Sequence, residues 1–238
     1  MPYRWDKAAE IRRSQIESGA DLTFSKVFVP YYQNLISSSK PASLLELGCG
    51  TGNLSAILSS SVPVVVALEP SRGMYETARE VLQGKSVRLL NCSVEDYRKD
   101  IRFDILISHM CIQTIDDLDK FIGGVVRHMG FASLFVFAIP HPCFYNSYKL
   151  FFEPGEYHYM QEAKKAISFA ITKDPGRLIT GVPYNHRPLS RYFALLKDHS
   201  LHVVDFHEMF PGPHIQKLYG RAWEYPWYCV FFARKTRN

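Results

Sequence analysis

A glycine-rich loop carries the clearest chemistry in this sequence. Residues 46–52 read Glu-Leu-Gly-Cys-Gly-Thr-Gly and lie between a strand-like run and a helical pattern. Glycines at such a turn let the backbone approach a ligand closely, and the following helix offers unpaired N–H groups at its start. Glu69, at the end of the next strand-like run, lies 21 positions after Gly48. A carboxylate about 20 residues downstream can accept both hydroxyls of a ribose, so the two features predict a nucleoside site.

The spacing of the glycines distinguishes between two kinds of nucleoside ligand. A pyrophosphate-binding fingerprint has the spacing G-x-G-x-x-G, whereas this chain has G-x-G-x-G followed by Asn53 and preceded by Glu46. This pattern resembles motif I of the class I S-adenosylmethionine-dependent methyltransferases, and residues 67–71 (Ala-Leu-Glu-Pro-Ser) resemble the ribose motif of that family. The resemblance implies a methyltransferase with S-adenosyl-L-methionine as its cofactor. The cofactor-binding residues that it implies here are Glu46, Gly48, Cys49, Gly50, Gly52, Asn53, Glu69 and Pro70.

A second segment resembles the adenine-contacting part of the same family. It runs from residue 91 to 97 (Asn-Cys-Ser-Val-Glu-Asp-Tyr), and residues 103–108 resemble the fourth strand of the family. The resemblance adds Ser93, Val94, Glu95 and Ser108 to the expected cofactor site. Ser93 stands where many members have Asp, so Glu95 or Asp96 is the alternative acceptor for the adenine amine. Both acids also suit the start of a helix, where the dipole favours negative charge.

Three histidines are candidates for the general base that a phenol, hydroxyl or protonated amine acceptor needs. His109 and His141 follow the fourth and fifth predicted strands, where the resemblance puts the acceptor, and His186 lies in a later insertion. His141 is the first candidate because Pro140 and Pro142 fix its backbone. The alternative for His141 is a structural hydrogen bond to a loop carbonyl, and for His109 it is packing near the cofactor.

Other reactive residue types offer weaker patterns. The histidines and cysteines lack the spacing of zinc ligands, so we expect no metal site. Tyr3, Trp5, Tyr31 and Tyr32 could form an N-terminal cap whose rings face the sulfonium of the cofactor, or they could simply pack an N-terminal helix.

Strand-like and helical stretches alternate in the part of the chain that carries these motifs. Strands are predicted at 43–47, 62–68, 87–91, 103–108 and 131–139, and helices at 54–60, 72–83 and 117–128. Such alternation indicates a parallel sheet in an α/β fold. The strand at 131–139 is almost all apolar, so we expect it to be covered on both faces, and we expect Ser71 to cap the helix at 72–83. A helix at 189–198 and two strands at 201–210 and 228–234 follow, and we expect the two strands to pair at the edge of the sheet. The predicted fold is a Rossmann-like, seven-stranded, mostly parallel sheet flanked by helices.

The predicted organisation is a single methyltransferase domain over residues 1–238. It has an N-terminal helical cap (1–40), a cofactor-binding half (41–140), a lid or substrate insertion (141–187), and a C-terminal helix with a strand pair (188–238). The insertion is expected because the alternation stops after Ile139 for about fifty residues rich in Pro, Tyr and Phe, and long insertions are often lids or binding loops.

Composition limits the class of protein and its partners. The formal net charge of +5 comes entirely from residues 141–238, which also hold 20 of the 33 aromatic residues and seven of the nine histidines. This excess is mild beside that of a dedicated nucleic-acid surface, so we expect a small-molecule acceptor, aromatic or anionic, rather than RNA. A non-catalytic nucleoside-binding protein is a further alternative. No apolar run reaches the length of a membrane helix, and five scattered cysteines suit reduced thiols. We therefore expect a cytoplasmic monomer or homodimer without membrane contact.

Overall fold

A computed structural model describes residues 5–236 of the chain. Tyr3, one of the four aromatic residues of the expected cap, lies outside them. The helices are α1 (Ala9–Glu17), α2 (Val29–Ser39), α3 (Asn53–Leu58), α4 (Arg72–Val81), α5 (Leu118–Arg127), α6 (Tyr145–Lys149), α7 (Leu189–Asp198) and α8 (Pro213–Tyr219). The strands are β1 (Ser43–Leu47), β2 (Val64–Leu68), β3 (Val87–Leu90), β4 (Phe103–His109), β5 (Met129–Pro140), β6 (Ala163–Ile171), β7 (Asp174–His186), β8 (Leu201–Met209) and β9 (Tyr228–Lys235).

Seven strands form the main sheet, in the order β3-β2-β1-β4-β5-β9-β8. β1 pairs parallel with β2, β2 with β3, and β4 with β5, while β9 pairs antiparallel with both β5 and β8. This order and the flanking helices confirm the predicted Rossmann-like fold. The two late strands do pair at the sheet edge, but α8 lies between them in the chain, so their connection is longer than a hairpin turn.

Capping residues fix where two of the helices begin. The Ser71 hydroxyl accepts a hydrogen bond from the Met74 N–H (3.3 Å) at the start of α4, as its sequence position predicts. The Asp117 carboxylate accepts one from the Lys120 N–H (3.1 Å) at the start of α5. These caps place the helices directly after the loops that leave β2 and β4.

Burial along β5 differs from the expectation that the whole strand is covered on both faces. Residues 135–140 are buried, but near its start Phe131 is 64% exposed. The pairing of β4 with β5 shifts register between Phe103 and Ile105, so the first residues of β5 leave the regular ladder. An apolar sequence therefore predicted more burial than this end of the strand has.

The insertion contains more regular structure than its composition indicated. After the short helix α6, β6 and β7 form a separate two-stranded sheet that leads into α7. The hairpin was not predicted, because its strands carry charges and glycines that interrupt a simple alternation.

The chain divides into two compact units. The first comprises residues up to Ser93 together with Ser168–Thr180 and Pro211–Glu224, and the second comprises Val94–Ile167, Gly181–Phe210 and the described residues from Tyr225 onward. Among residues 5–236, no helix combines the length and apolar character that crossing a membrane demands.

Candidate active site

The glycine loop lies in the first unit, directly after β1. Gly48, Gly50 and Gly52 have φ values of 69°, 56° and 78°, in the left-handed region that favours glycine. A Cβ atom on Gly52 would lie 3.1 Å from Leu82 Cγ and 3.2 Å from Ala78 Cβ, so a side chain there would also be crowded. The loop is anchored to the end of β2, since the Leu68 carbonyl accepts hydrogen bonds from the N–H groups of Gly48 (2.9 Å) and Cys49 (3.0 Å).

Glu69 joins this loop through its side chain. Its Oε2 accepts a hydrogen bond from the Gly50 N–H (2.8 Å), and its Oε1 accepts one from the Ser71 N–H (2.8 Å). The side chain is buried, and burial raises the pKa of Glu69 to about 7 against the lowering effect of the two N–H donors. Each carboxylate oxygen has a second lone pair, so the group can still accept the two hydroxyls of a ribose.

Three residues that the sequence analysis did not assign to the site support Glu69. The Asp6 carboxylate accepts hydrogen bonds from the Ser71 hydroxyl (2.6 Å) and the Gly73 N–H (2.9 Å). The Asn91 side chain donates to the carbonyls of Glu69 (2.7 Å) and Pro70 (3.3 Å). Ser71, as a helix cap, and Asn91, at the end of β3, lie in positions from which a contact near Glu69 could be expected. In contrast, no pattern near Asp6 indicated a contact with a residue 65 positions away.

The other predicted residues of the loop make internal contacts. Glu46 is buried on β1 and accepts a short hydrogen bond from the Ser55 hydroxyl on α3, and burial raises its pKa to about 7. Asn53 Oδ1 accepts from the Thr51 hydroxyl (2.6 Å), and Cys49 is buried in the turn. These contacts stabilise the conformation of the glycine loop.

The predicted adenine segment spans the boundary between the two units in the chain. Ser93 is the last residue of this part of the first unit and is partly exposed. Val94 opens the second unit and is buried, with its side chain against Gly124 on α5. Glu95 is partly exposed, and Ser108 is fully buried on β4.

His141 lies in the second unit and uses both of its ring nitrogens. Its Nε2 pairs with Glu208 Oε1 on β8 (3.1 Å), and its Nδ1 accepts a hydrogen bond from the Cys143 N–H (3.2 Å). The residue is 1% exposed, and burial lowers its pKa, so the neutral ring carries its proton on Nε2. Both ring nitrogens of His141 therefore have partners, but these are a carboxylate and a backbone N–H rather than the loop carbonyl of the structural alternative.

His186 and His109 lie in different surroundings from His141. His186 Nε2 donates to the Tyr159 carbonyl (2.8 Å), which leaves Nδ1 as the ring nitrogen that could accept a proton. Burial lowers the pKa of His186, and the rings of Tyr157 and Phe152 lie 4.9 and 6.4 Å from it. His109 ends β4, immediately before Met110, whose φ of 51° is unusual for a residue with a side chain.

The expected cap residues are found in packing contacts. Tyr32 is fully buried and packs against Phe28 and Tyr31, and Trp5 makes an edge contact with Phe169 on β6. Within residues 5–236, no group of three or more His, Cys, Asp or Glu side chains is arranged to hold a metal ion.

Comparisons with known proteins agree with this geometry. Residues 44–130 match a family described as a methyltransferase domain. The chain is 26% identical over 104 residues to a malonyl-[acyl-carrier protein] O-methyltransferase of Bacillus anthracis, an alignment that covers 43% of this chain and 39% of the relative. The chain thus matches about two-fifths of that protein's length.

Solved structures resemble the chain over nearly its full length. An S-adenosylmethionine-dependent methyltransferase from Clostridium acetobutylicum superposes with a TM-score of 0.68 at 17% identity, covering 98% of this chain and 99% of that one. The Burkholderia thailandensis 1,6-didemethyltoxoflavin-N1-methyltransferase gives a TM-score of 0.60 at 17% identity, with coverage of 96% and 87%. At these identities the similarity establishes the fold.

The family match covers the glycine loop and Glu69, the residues whose geometry suits a nucleoside. The main sheet is the seven-stranded, mostly parallel sheet that was predicted. Residues 44–130 are therefore similar to the methyltransferase domain family, and the chain has the fold of S-adenosylmethionine-dependent methyltransferases of known structure.

Proposed function

We propose that the protein transfers the methyl group of S-adenosyl-L-methionine to a small-molecule acceptor. The observation that carries this proposal is the pairing of the left-handed glycine loop with the buried carboxylate of Glu69 through the Gly50 N–H. Such a pair suits a ribose diol lying against the loop.

The bound cofactor would supply a methyl group already activated by its sulfonium. Glu69 would accept the ribose hydroxyls, and Gly48, Gly50 and Gly52 would let the backbone lie against the ligand. Glu46 and Asn53 would keep the loop in shape, and Ser93, Val94, Glu95 and Ser108 stay the proposed remaining contacts. The protein's main task is then alignment and exclusion of water.

We propose His186 as the general base, ahead of His109 and His141. A base must be neutral and must have an open ring nitrogen, and His186 combines a lowered pKa with an Nδ1 atom that is not used by the Tyr159 contact. His141 instead joins the loop after β5 to Glu208.

An aromatic or anionic metabolite is the proposed acceptor. The aromatic rings around His186 favour a flat molecule, and one of the similar proteins is named for a small acceptor, 1,6-didemethyltoxoflavin. RNA is the second candidate, favoured only by the basic residues 141–238, and salt-dependent binding of bulk tRNA would support it.

The direct test uses labelled S-adenosylmethionine and a metabolite extract, with mass identification of the methylated product. The wild-type protein should form S-adenosylhomocysteine and one labelled product. Glu69→Gln should weaken S-adenosylhomocysteine binding by about 30-fold or more in calorimetry, because two charge-assisted hydrogen bonds are lost. Unchanged affinity would overturn the cofactor site. Tight cofactor binding with no product from any extract would favour the non-catalytic alternative.

The same assay tests the base. His186→Ala should lower product formation by about 100-fold, in line with loss of general base catalysis, while cofactor affinity stays within about twofold. His141→Ala should affect thermal stability more than the chemical step. The proposal for His186 fails if His186→Ala retains full turnover.

The remaining predictions about organisation are kept as proposals. We propose a single domain with its cap, cofactor-binding half, lid and C-terminal part, in a cytoplasmic protein that is a monomer or a homodimer.

A further inference from the structure

Arg187, at the junction between β7 and α7 in the second unit, is a buried cation. The residue is 5% exposed, and its Nη2 donates to the carbonyls of Ile115 (2.7 Å) and Asp116 (3.3 Å). Its Nη1 atom is also buried and has no hydrogen-bond partner of good geometry in the described part of the chain. The Tyr192 hydroxyl lies near the guanidinium, whose charge opposes the burial that raises the pKa of Tyr192, but a neutral hydroxyl leaves the positive charge unpaired. An incompletely paired buried guanidinium is costly for a folded protein, so the missing acceptor points to a ligand.

The carboxylates near this guanidinium do not complete its pairing. Glu162 Oε2 lies 3.6 Å from Arg187 Nε, too far for a hydrogen bond, while its Oε1 accepts from Arg191 Nε at 3.0 Å. The Glu162 side chain is 51% exposed, so this carboxylate reaches the arginines from the solvent side. Asp116 instead pairs with Lys164 (2.5 Å). The three cations and two carboxylates of this group leave one positive charge.

The N-terminus of α7 adds to the positive charge around Arg187. Pro188 precedes the helix and gives no side-chain cap, and the first turn contains no acidic residue. Arg191 lies in that first turn, although a basic residue there is disfavoured by the helix dipole. The N-terminus of a helix flanked by two arginines is a favourable environment for an anion.

We propose that Arg187, Arg191 and the start of α7 bind a carboxylate group of the methyl acceptor, and that Glu162 occupies this position until the acceptor displaces it. The proposal deepens the proposed function, on which it rests, by naming the acceptor class. The aromatic rings of Tyr157 and Phe152 beside the neighbouring His186 make an aromatic carboxylate the best match. No bond is formed or broken at the arginines, which only recognise and orient.

The test compares three probes of similar shape, namely benzoate, its neutral amide benzamide, and phenyl phosphate. Calorimetry is done on the full chain, both alone and saturated with S-adenosylhomocysteine. Benzoate should bind about tenfold more tightly than benzamide, because only the anion can pair with the guanidinium. Equal affinities would overturn the proposal. Tighter binding of phenyl phosphate than of benzoate would overturn the assignment to a carboxylate.

Variants separate recognition from structural support. Glu162→Gln should strengthen benzoate binding by about threefold, because the competing carboxylate is gone, whereas a purely structural pair would give no gain. Glu156→Gln is the matched control, since Glu156 pairs with Lys165 (2.8 Å) in the same insertion, and it should leave benzoate affinity unchanged. Arg187→Met should weaken benzoate binding by about tenfold and leave benzamide unchanged.

Two controls keep the outcome interpretable. If Arg187→Met does not fold, Glu162→Gln alone decides, since its side chain is half exposed and its replacement leaves the core intact. Failure of the wild-type protein to bind S-adenosylhomocysteine would contradict the proposed function, whereas the benzoate comparison on the ligand-free protein would still test the arginine site. A Glu162→Gln variant with unchanged benzoate affinity contradicts the displacement.

Discussion

At the scale of single residues, Glu46 shows how a buried acid ties stability to pH. The carboxyl is enclosed on β1 with the Ser55 hydroxyl as its hydrogen-bond partner, and burial raises its pKa from 4.5 to about 7. A folded pKa above the unfolded one means that the folded state binds the proton more tightly. The contribution of Glu46 to the unfolding free energy is therefore full below about pH 4.5 and is lost as the pH rises to about 7.

We expect Glu46→Gln to remove the loss of unfolding free energy that Glu46 causes as the pH rises. Glutamine keeps an oxygen for the Ser55 hydroxyl but cannot ionise, so it mimics the protonated acid. The midpoint of thermal unfolding should rise relative to wild type at pH 8.5, by several degrees, and should match wild type near pH 5. Differential scanning calorimetry at both pH values checks this, and an equal difference at the two values would show that ionisation of Glu46 is not the cause.

At the scale of elements, the N-terminal helix α1 lies between α4 and the tip of the β6–β7 hairpin. Towards α4, Arg13 pairs with Glu80 (2.5 Å) and Thr77 donates to Glu10 (3.3 Å). Towards the hairpin tip, Gln15 donates to Asp174 (3.1 Å) and Arg177 donates to Ser14 (2.9 Å). Asp6, just before α1, extends these contacts to Ser71 and so to Glu69. The N-terminal segment is thus part of the support of the proposed cofactor site.

Asp6→Asn should separate the charge of this support from its hydrogen bonds. Asparagine can still accept from Ser71 and Gly73, but the negative charge that helps to raise the pKa of Glu69 is removed. Wild-type affinity for S-adenosylhomocysteine should fall below about pH 7 as Glu69 protonates, and the fall should begin at lower pH in the variant. Calorimetric titrations from pH 5.5 to 8.5 would reveal the shift.

The matched control for Asp6 is Glu10→Gln, a loss of one acid from the same helical segment whose contact is with Thr77. This variant should keep the wild-type pH profile. Asp6→Ala, which also removes both hydrogen bonds, should weaken binding at every pH. Identical profiles for Asp6→Asn and Glu10→Gln would contradict a role of the Asp6 charge.

At the scale of the whole molecule, most of the fold could be predicted from the sequence. β1 and α7 have the predicted bounds, and Ser71 caps α4 as predicted, whereas Asp117, the first residue of the predicted helix at 117–128, is the cap of α5. These features depend on residues close together in the chain. The β6–β7 hairpin was missed because its strands do not alternate cleanly, and α8 was missed because it is only seven residues long.

The candidate site was predictable only where a local pattern carried it. The glycine loop and Glu69 were found by spacing, and the structure joins them at Gly50. The contacts of Asp6 with Ser71 and of His141 with Glu208 link residues 65 and 67 positions apart, and no periodicity marks such pairs. Because Glu208 uses the second nitrogen of His141, the order of the candidate bases depends on a contact that the sequence does not encode locally.

The ion pairs within the basic part of the chain bear on the class of ligand that it could bind. Among residues 141–236, the cations in ion pairs include Lys164, Lys165, Arg177, Arg187 and Arg191. Pairing within the protein reduces the field that a polyanion would meet, which favours a small anionic ligand over RNA.

The Leu68 carbonyl, which accepts two N–H groups of the glycine loop, has a consequence for genetics. Donors and acceptor are main-chain atoms, which nearly every residue type supplies, so replacing the side chain of Leu68 or Cys49 leaves both bonds possible. These two hydrogen bonds therefore do not depend on the side chains of Leu68 and Cys49, although both residues are buried and polar or larger replacements would disturb the packing around the loop. Loss-of-function mutations should instead accumulate at Gly52 and Glu69. A side chain at Gly52 would crowd Leu82 and Ala78, and no main-chain atom can replace the carboxylate of Glu69.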